Sequence, residues 1–168
     1  MHILNIVINI LRSVPFLILM IIVIPLSRAI VGTSIGTVAS IVPLVIASFP
    51  FVSRLVETSM REVDAGVIEA AQSMGATPLQ IITKVMVPES MPSLVANVTI
   101  AATTIMGYGA MAGIIGGGGL GKIAINYGYY RFNVVLEFFA TALLVVLVQI
   151  LQTVGTKLAI KCDKRIQK

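Results

Sequence analysis

Apolar and polar positions along the 168-residue chain are sorted into blocks rather than alternating singly. Apolar runs occupy 14–27, 34–53, 93–115 and 133–155, and one long polar interval, 57–92, parts the second from the third. Coiled as helices, runs of about 20 residues match the hydrocarbon thickness of a bilayer, so the pattern predicts four transmembrane helices. Residues 3–11 (ILNIVINIL) repeat Asn5 and Asn9 one helical turn apart on an otherwise apolar surface. That fits an interfacial helix or the start of the first span, with Arg12 and Pro15 marking the boundary after it. Pro43 and Pro50 fall inside the second span, where neighbouring helices can satisfy the freed carbonyls, and they predict a kink. The third span carries Ala96, Ala101, Ala102, Gly107, Gly109, Ala110 and Gly113, small residues that let helix backbones approach closely.

The polar interval predicts two short helices joined by a tight turn. In VDAGVIEAAQSMG, Val67, Ala70, Ala71 and Met74 fall at i, i+3, i+4 and i+7, one helical face. Asp64 is placed to act as N-cap, and Gly75 supplies the left-handed residue that ends many helices. Thr77 then reads as a second N-cap, with Pro78 at the first helical position and Gln80 completing a capping box. The second helix, LQIITKVMV, is predicted to stop at Pro88, whose ring clashes with the preceding turn. Three roles suit such an object: a plain connector, a DNA-reading helix-turn-helix, or a knob whose apolar face enters a partner's groove. The second helix carries one cation, Lys84, whereas DNA readers cluster basic residues against phosphate.

Composition places all of this in a membrane. The chain is 57% hydrophobic and 11% charged, with mean hydropathy +1.01. A water-soluble domain could not cover so much apolar surface. One compact bundle, 1–168, is expected. The net charge of +5 requires no nucleic acid. The single Cys162 excludes an intramolecular disulfide. No basic leader and small-residue cleavage site mark a signal peptide. If the polar hairpin and both termini face the cytoplasm, the inside holds Arg12, Arg54, Arg61, Lys84, Lys157, Lys161, Lys164, Arg165 and Lys168. The outside then holds only Arg28, Lys122 and Arg131. The positive-inside rule selects that orientation.

Little else in the chain carries chemistry. Gly116, Gly118 and Gly121 satisfy G-x-G-x-x-G, and 116–122 nearly satisfies a P-loop. Ile123 stands where the magnesium-binding hydroxyl belongs, however, and no strand precedes. The segment reads instead as a mobile external loop whose glycines allow close backbone packing. His2 is the sole histidine, so zinc sites and Ser-His pairs lack their base. Five of the seven acidic residues, Glu57, Glu62, Asp64, Glu69 and Glu89, lie in the hairpin region rather than in a span. Glu137, near the start of the last span, either reaches the water or serves an ion relay. Neither an enzyme nor a cofactor or metal site is expected.

The run EAAQSMGATPLQIITKVMVPESMP resembles the EAA loop of permease subunits of ABC importers. Glu69, Ala70, Ala71, Gly75 and Pro88 match that pattern, while Val85 and Val87 stand where Ile and Leu are usual. More narrowly, IVGTSIGT, IVPL, GGGGLGKIAINYGYYRFNVVL and the short basic tail are similar to the permease of methionine ABC importers. The resemblance implies an all-α polytopic permease in a bacterial cytoplasmic (inner) membrane, with a cytoplasmic C-terminus. It implies a homodimer, two cytoplasmic ATPase subunits that bind the ATP, and an extracytoplasmic methionine-binding protein. Glu69, Ala70, Ala71, Gly75, Pro78 and Pro88 would then couple to the ATPase. Ser48, Met106 and Tyr108 on 34–53 and 93–115 are the candidates to line the pathway, with packing an equal role for Met106. Two departures stand out: the family has five spans, so a first span is expected upstream of this sequence, and Lys122 replaces a usual acidic residue. A secondary carrier or channel, and a non-transporting assembly subunit, remain the alternatives from other classes.

Overall fold

The computed structural model describes residues 2–163, except the side chains of residues 2–5, 7 and 11. Lys164, Arg165 and Lys168 and the side chains of His2 and Asn5 therefore lie outside the described residues. Among the described residues every regular element is helical. In chain order these are α1 (His2–Ser13), α2 (Phe16–Val31), α3 (Thr37–Arg61), α4 (Ala65–Ser73), α5 (Pro78–Gln80), a π-helical stretch (Ile81–Met86) and α6 (Val87–Glu89). There follow α7 (Met91–Met111), a 3₁₀ turn (Ala112–Ile115), α8 (Leu120–Lys122), a second π-helical stretch (Ile123–Tyr129) and α9 (Val134–Cys162).

The apolar blocks become the long helices for the reason anticipated: in hydrocarbon a helix satisfies its own backbone groups. Among the described residues three are long and apolar enough to cross a membrane, Thr37–Arg61, Met91–Ile115 and Val134–Cys162. The expected span over 14–27 is the shorter α2, Phe16–Val31. At the α-helical rise it extends about 24 Å, below the ~30 Å of an average hydrocarbon core. A break at Val14 and Pro15 separates it from α1, as Arg12 and Pro15 suggested. Helix α3 passes both internal prolines without interruption, and both rings are fully buried. Helix α9 runs past the expected end at 155 to Cys162, so Lys157 and Lys161 sit on its last turns. Cations there complement the helix dipole. Glu137 lies in its first turn, the end suited to a carboxylate.

Two compact units divide the chain. The first joins Met1–Phe51 to Ala102–Ile150. Its interior holds Leu19, Met20, Val23, Ala39, Ala112 and Ala140. Phe16 stacks on Tyr108 with ring centroids 4.2 Å apart. The glycine-rich segment in this unit is a non-helical loop over 116–119, as expected, set between the 3₁₀ turn and α8, and its flanking glycines allow close backbone approach. A Cβ at Gly121 would collide with the backbone of Ala110, and one at Gly113 would lie 2.5 Å from the Lys122 nitrogen.

The second unit joins Val52–Ala101 to Leu151–Lys168 and contains the hairpin. Its buried residues include Val63, Ala71, Ile81 and Ala101 together with Ser59, Ser90 and Thr99. Helix α9 comes so near α7 here that a Cβ on Gly155 would overlap the Thr99 side chain. Polar groups bind α3 to α7. Asn97 Nδ2 donates to Ser59 Oγ at 2.7 Å and to the Leu55 carbonyl at 3.3 Å, and Ser93 Oγ donates to Ser59 Oγ at 3.3 Å.

Candidate functional site

The polar interval folds as its caps dictate. Asp64 Oδ1 accepts the Gly66 N–H at 2.7 Å and opens α4. The helix closes in a Schellman motif, with Gly75 N–H donating to Gln72 O at 2.9 Å and Ala76 N–H to Ala71 O at 3.1 Å. Gly75 holds a φ of 78°. That is the left-handed region, which a β-branched residue resists. Two residues on, Thr77 Oγ1 accepts the Gln80 N–H at 3.4 Å while Gln80 Oε1 accepts the Thr77 N–H at 2.9 Å. The capping box is complete, with Pro78 inside it.

Pro88 does not end the second helix. The Val87 N–H reaches back to Ile82 O, one residue further than in an α-helix, across the π-helical stretch. That wider turn carries the chain to Pro88, which enters in the first turn of α6, where a missing N–H is tolerated. The helical path closes at Ser90, whose N–H donates to Met86 O at 2.9 Å.

Exposure then sorts the matched residues. Glu69, Ala70, Gly75, Pro78 and Pro88 are exposed, but Ala71 is only 4% exposed. Helix α4 packs against the π-helical stretch, and Ala71 on one and Ile81 on the other are their buried positions. Ala71 thus serves the inside of the hairpin rather than presenting a contact surface. The outer surface is apolar where water would favour polar groups: Met74 is 81% exposed and Leu79 71%, with Val67 and Ile82 partly covered. Sequence reasoning did not single out Leu79 and Ile82 as surface residues; their i, i+3 spacing immediately after a cap is the signal that could have found them.

The other candidates lie in the first unit. Ser48 is half-buried and its Oγ donates to Leu44 O at 2.6 Å, back onto its own helix. Met106 is half-buried. Tyr108, with Phe16, Arg12, Val14, Leu19, Ala47 and Phe51, lines a cavity of about 180 Å³ that neither Ser48 nor Met106 borders. Of the small residues on the third span, Gly107 and Gly109 have nothing within 4 Å of an added Cβ among the described residues, so the close approach expected there is not made by them. Among the described residues no group of three or more His, Cys, Asp or Glu side chains is arranged to hold a metal ion.

Comparison with known proteins extends these observations. Residues 2–158 match the family described as binding-protein-dependent transport system inner membrane component. The chain is 54% identical over 159 residues to the probable D-methionine transport system permease protein MetI of Vibrio cholerae serotype O1, covering 95% of this chain and 71% of that one. Against the methionine import system permease protein MetP of Bacillus subtilis strain 168 it is 48% identical, covering 95% and 72%. A solved chain from the MetNI methionine ABC transporter, described as inward facing, superposes with TM-score 0.93 at 44% identity, covering 97% of this chain and 76% of its own length.

Proposed function

The chain belongs to the family of binding-protein-dependent transport system inner membrane components, and on that premise we propose that it is the membrane permease subunit of an ATP-driven importer of methionine. The observation that carries the mechanism is the hairpin's outward apolar surface, Met74, Leu79, Val67 and Ile82, on a chain whose other apolar surface belongs in lipid. An apolar knob held rigidly by caps suits insertion into a groove on a second protein.

That second protein is a cytoplasmic ATPase subunit, present in two copies against two permeases, and it binds and hydrolyses the ATP. The permease itself performs no chemistry. The hairpin and the C-terminus face the cytoplasm of a bacterial inner membrane, a reading supported by the basic-residue asymmetry. ATP binding draws the ATPase pair together, the two hairpins follow, and the helix bundle shifts from an inward-facing to an outward-facing population. An extracytoplasmic binding protein then delivers methionine, and hydrolysis resets the bundle. Glu69, Ala70, Gly75, Pro78 and Pro88 shape or border the docking surface, and Ala71 sets its packing. Ser48, Met106 and Tyr108 remain the proposed pathway residues, with Tyr108 best supported because it faces a cavity.

The test is uptake of labelled methionine into vesicles holding the permease, its co-expressed ATPase and the binding protein. ATP-dependent accumulation is expected. ATPase that co-purifies without any accumulation, under conditions where a known methionine importer works, would refute the transport assignment.

A further inference from the structure

The hairpin leaves α3 just after Ser59 and re-enters α7 just before Ser93, so what joins those two positions governs how hairpin motion reaches the helices. Ser59 is fully buried. Its hydroxyl donates to Leu55 O at 3.1 Å and accepts from Asn97 Nδ2 at 2.7 Å and Ser93 Oγ at 3.3 Å. One proton given and two lone pairs filled exhaust what a serine can do. Asn97 Nδ2 also donates to Leu55 O, one turn back on α3. Leu55 and Ser59 on one helix, and Ser93 and Asn97 on the other, are each a single turn apart, so two successive turns of α3 are pinned to two of α7 in one register. Ser90 adds a further tie at the hairpin root, its hydroxyl 3.3 Å from Met60 Sδ.

Apolar packing would hold the two helices together but would let them slide, because in a membrane the surrounding lipid is as apolar as the side chains. The saturated hydroxyl of buried Ser59 has one geometry, and shifting the network by a turn takes its partners away. We infer that the Ser59–Asn97–Ser93 network is a transmission clasp: it makes the ends of α3 and α7 move as one body with the hairpin, so that ATPase closure displaces helices instead of splaying the hairpin's roots. Asn97 is thus a positioning residue for transport, acting through Ser59. The inference rests on the permease reading above, since only a docked hairpin has motion to transmit.

The test uses the complete permease–ATPase complex in vesicles and measures methionine taken up per ATP hydrolysed. Asn97→Leu keeps the bulk and removes the donors. Its expected effect is a five- to tenfold drop in uptake per ATP, with ATPase co-purification and hydrolysis rate within about twofold of wild type. The exchanged pair Ser59→Asn with Asn97→Ser, which restores a donor and an acceptor across the same two helices, is expected to recover at least half of the ratio. Ser93→Ala, which deletes a single 3.3 Å bond, should lower the ratio about twofold and decides the matter if Asn97→Leu fails to reach the membrane. An unchanged ratio in Asn97→Leu, or in Ser93→Ala where that variant must serve, overturns the inference. Loss of ATPase binding in step with uptake also overturns it, because the network would then merely shape the hairpin. A wild-type complex that hydrolyses ATP without moving methionine is a different failure, that of the permease reading itself.

Discussion

Two connections between long helices use opposite means to reach a similar form. Both the hairpin, between α3 and α7, and the glycine-rich segment, between α7 and α9, contain short helical pieces and a π-helical stretch. The hairpin is held by side chains bonding to backbone within a few residues, Asp64 to Gly66 and Thr77 to Gln80. The glycine-rich segment is held by backbone lying directly on backbone, Gly113 against Lys122 and Gly121 against Ala110. Side-chain caps leave an outer surface free to carry apolar residues, whereas backbone contact leaves no room for side chains at all. The first arrangement makes a knob with a free outer surface; the second makes a tight corner within its own unit.

Substitutions should divide along that line. The largest effect is expected from Gly121→Leu, whose side chain must displace the Ala110 backbone. The cost should exceed the ~1–3 kcal/mol typical of overpacking. Membrane levels of the variant, read by immunoblot of washed membranes, should fall severely; normal levels would show that the corner is loosely packed. Gly75→Val comes next, at a left-handed position within the hairpin. Strain of ~1–3 kcal/mol is expected there, confined to the hairpin. Normal membrane levels with strongly reduced ATPase recovery and methionine uptake should result, and Gly75→Ala should be milder. If Gly75→Val transports normally, the hairpin is only a connector.

Met74→Asp and Leu79→Asp test the outer surface without touching the hairpin's interior. Each removes an apolar contact worth about 1.5–3 kcal/mol if fully buried by the partner. Roughly tenfold or greater weakening of ATPase binding should appear in pull-down titrations, while Glu69→Ala, exposed on α4, should weaken it less. Thr77→Ala should be the smallest, about 1 kcal/mol from the lost cap, visible as partial loss of uptake. Sidedness offers a separate check: an impermeant thiol reagent should reach Thr77→Cys only from the cytoplasm and Phe132→Cys, at a 91% exposed position, only from outside. Reversed labelling would remove the docking surface from any ATPase.

The amino-acid sequence alone determined what depends on neighbours a few residues away or on bulk solvent preference. Blocks of apolar residues demanded membrane helices, because lipid leaves the backbone no partner but itself. Asp64, Gly75, Thr77, Pro78 and Gln80 specified the hairpin's turns, because caps close over a few neighbouring residues. The tertiary structure decided what depends on distant chain. It turned Ala71 inward and left Met74 and Leu79 outward, since burial on a two-helix hairpin is set by which side meets the other helix. It carried the chain through Pro88 on a π-helical turn, a register in which the usual clash does not arise. It closed the glycine-rich segment into a tight corner, because backbone of Ala110 and Gly113 lies against Gly121 and Lys122 further along the chain. And it joined Ser59 to Asn97, a pairing between residues far apart in sequence that only the packing of α3 on α7 could create.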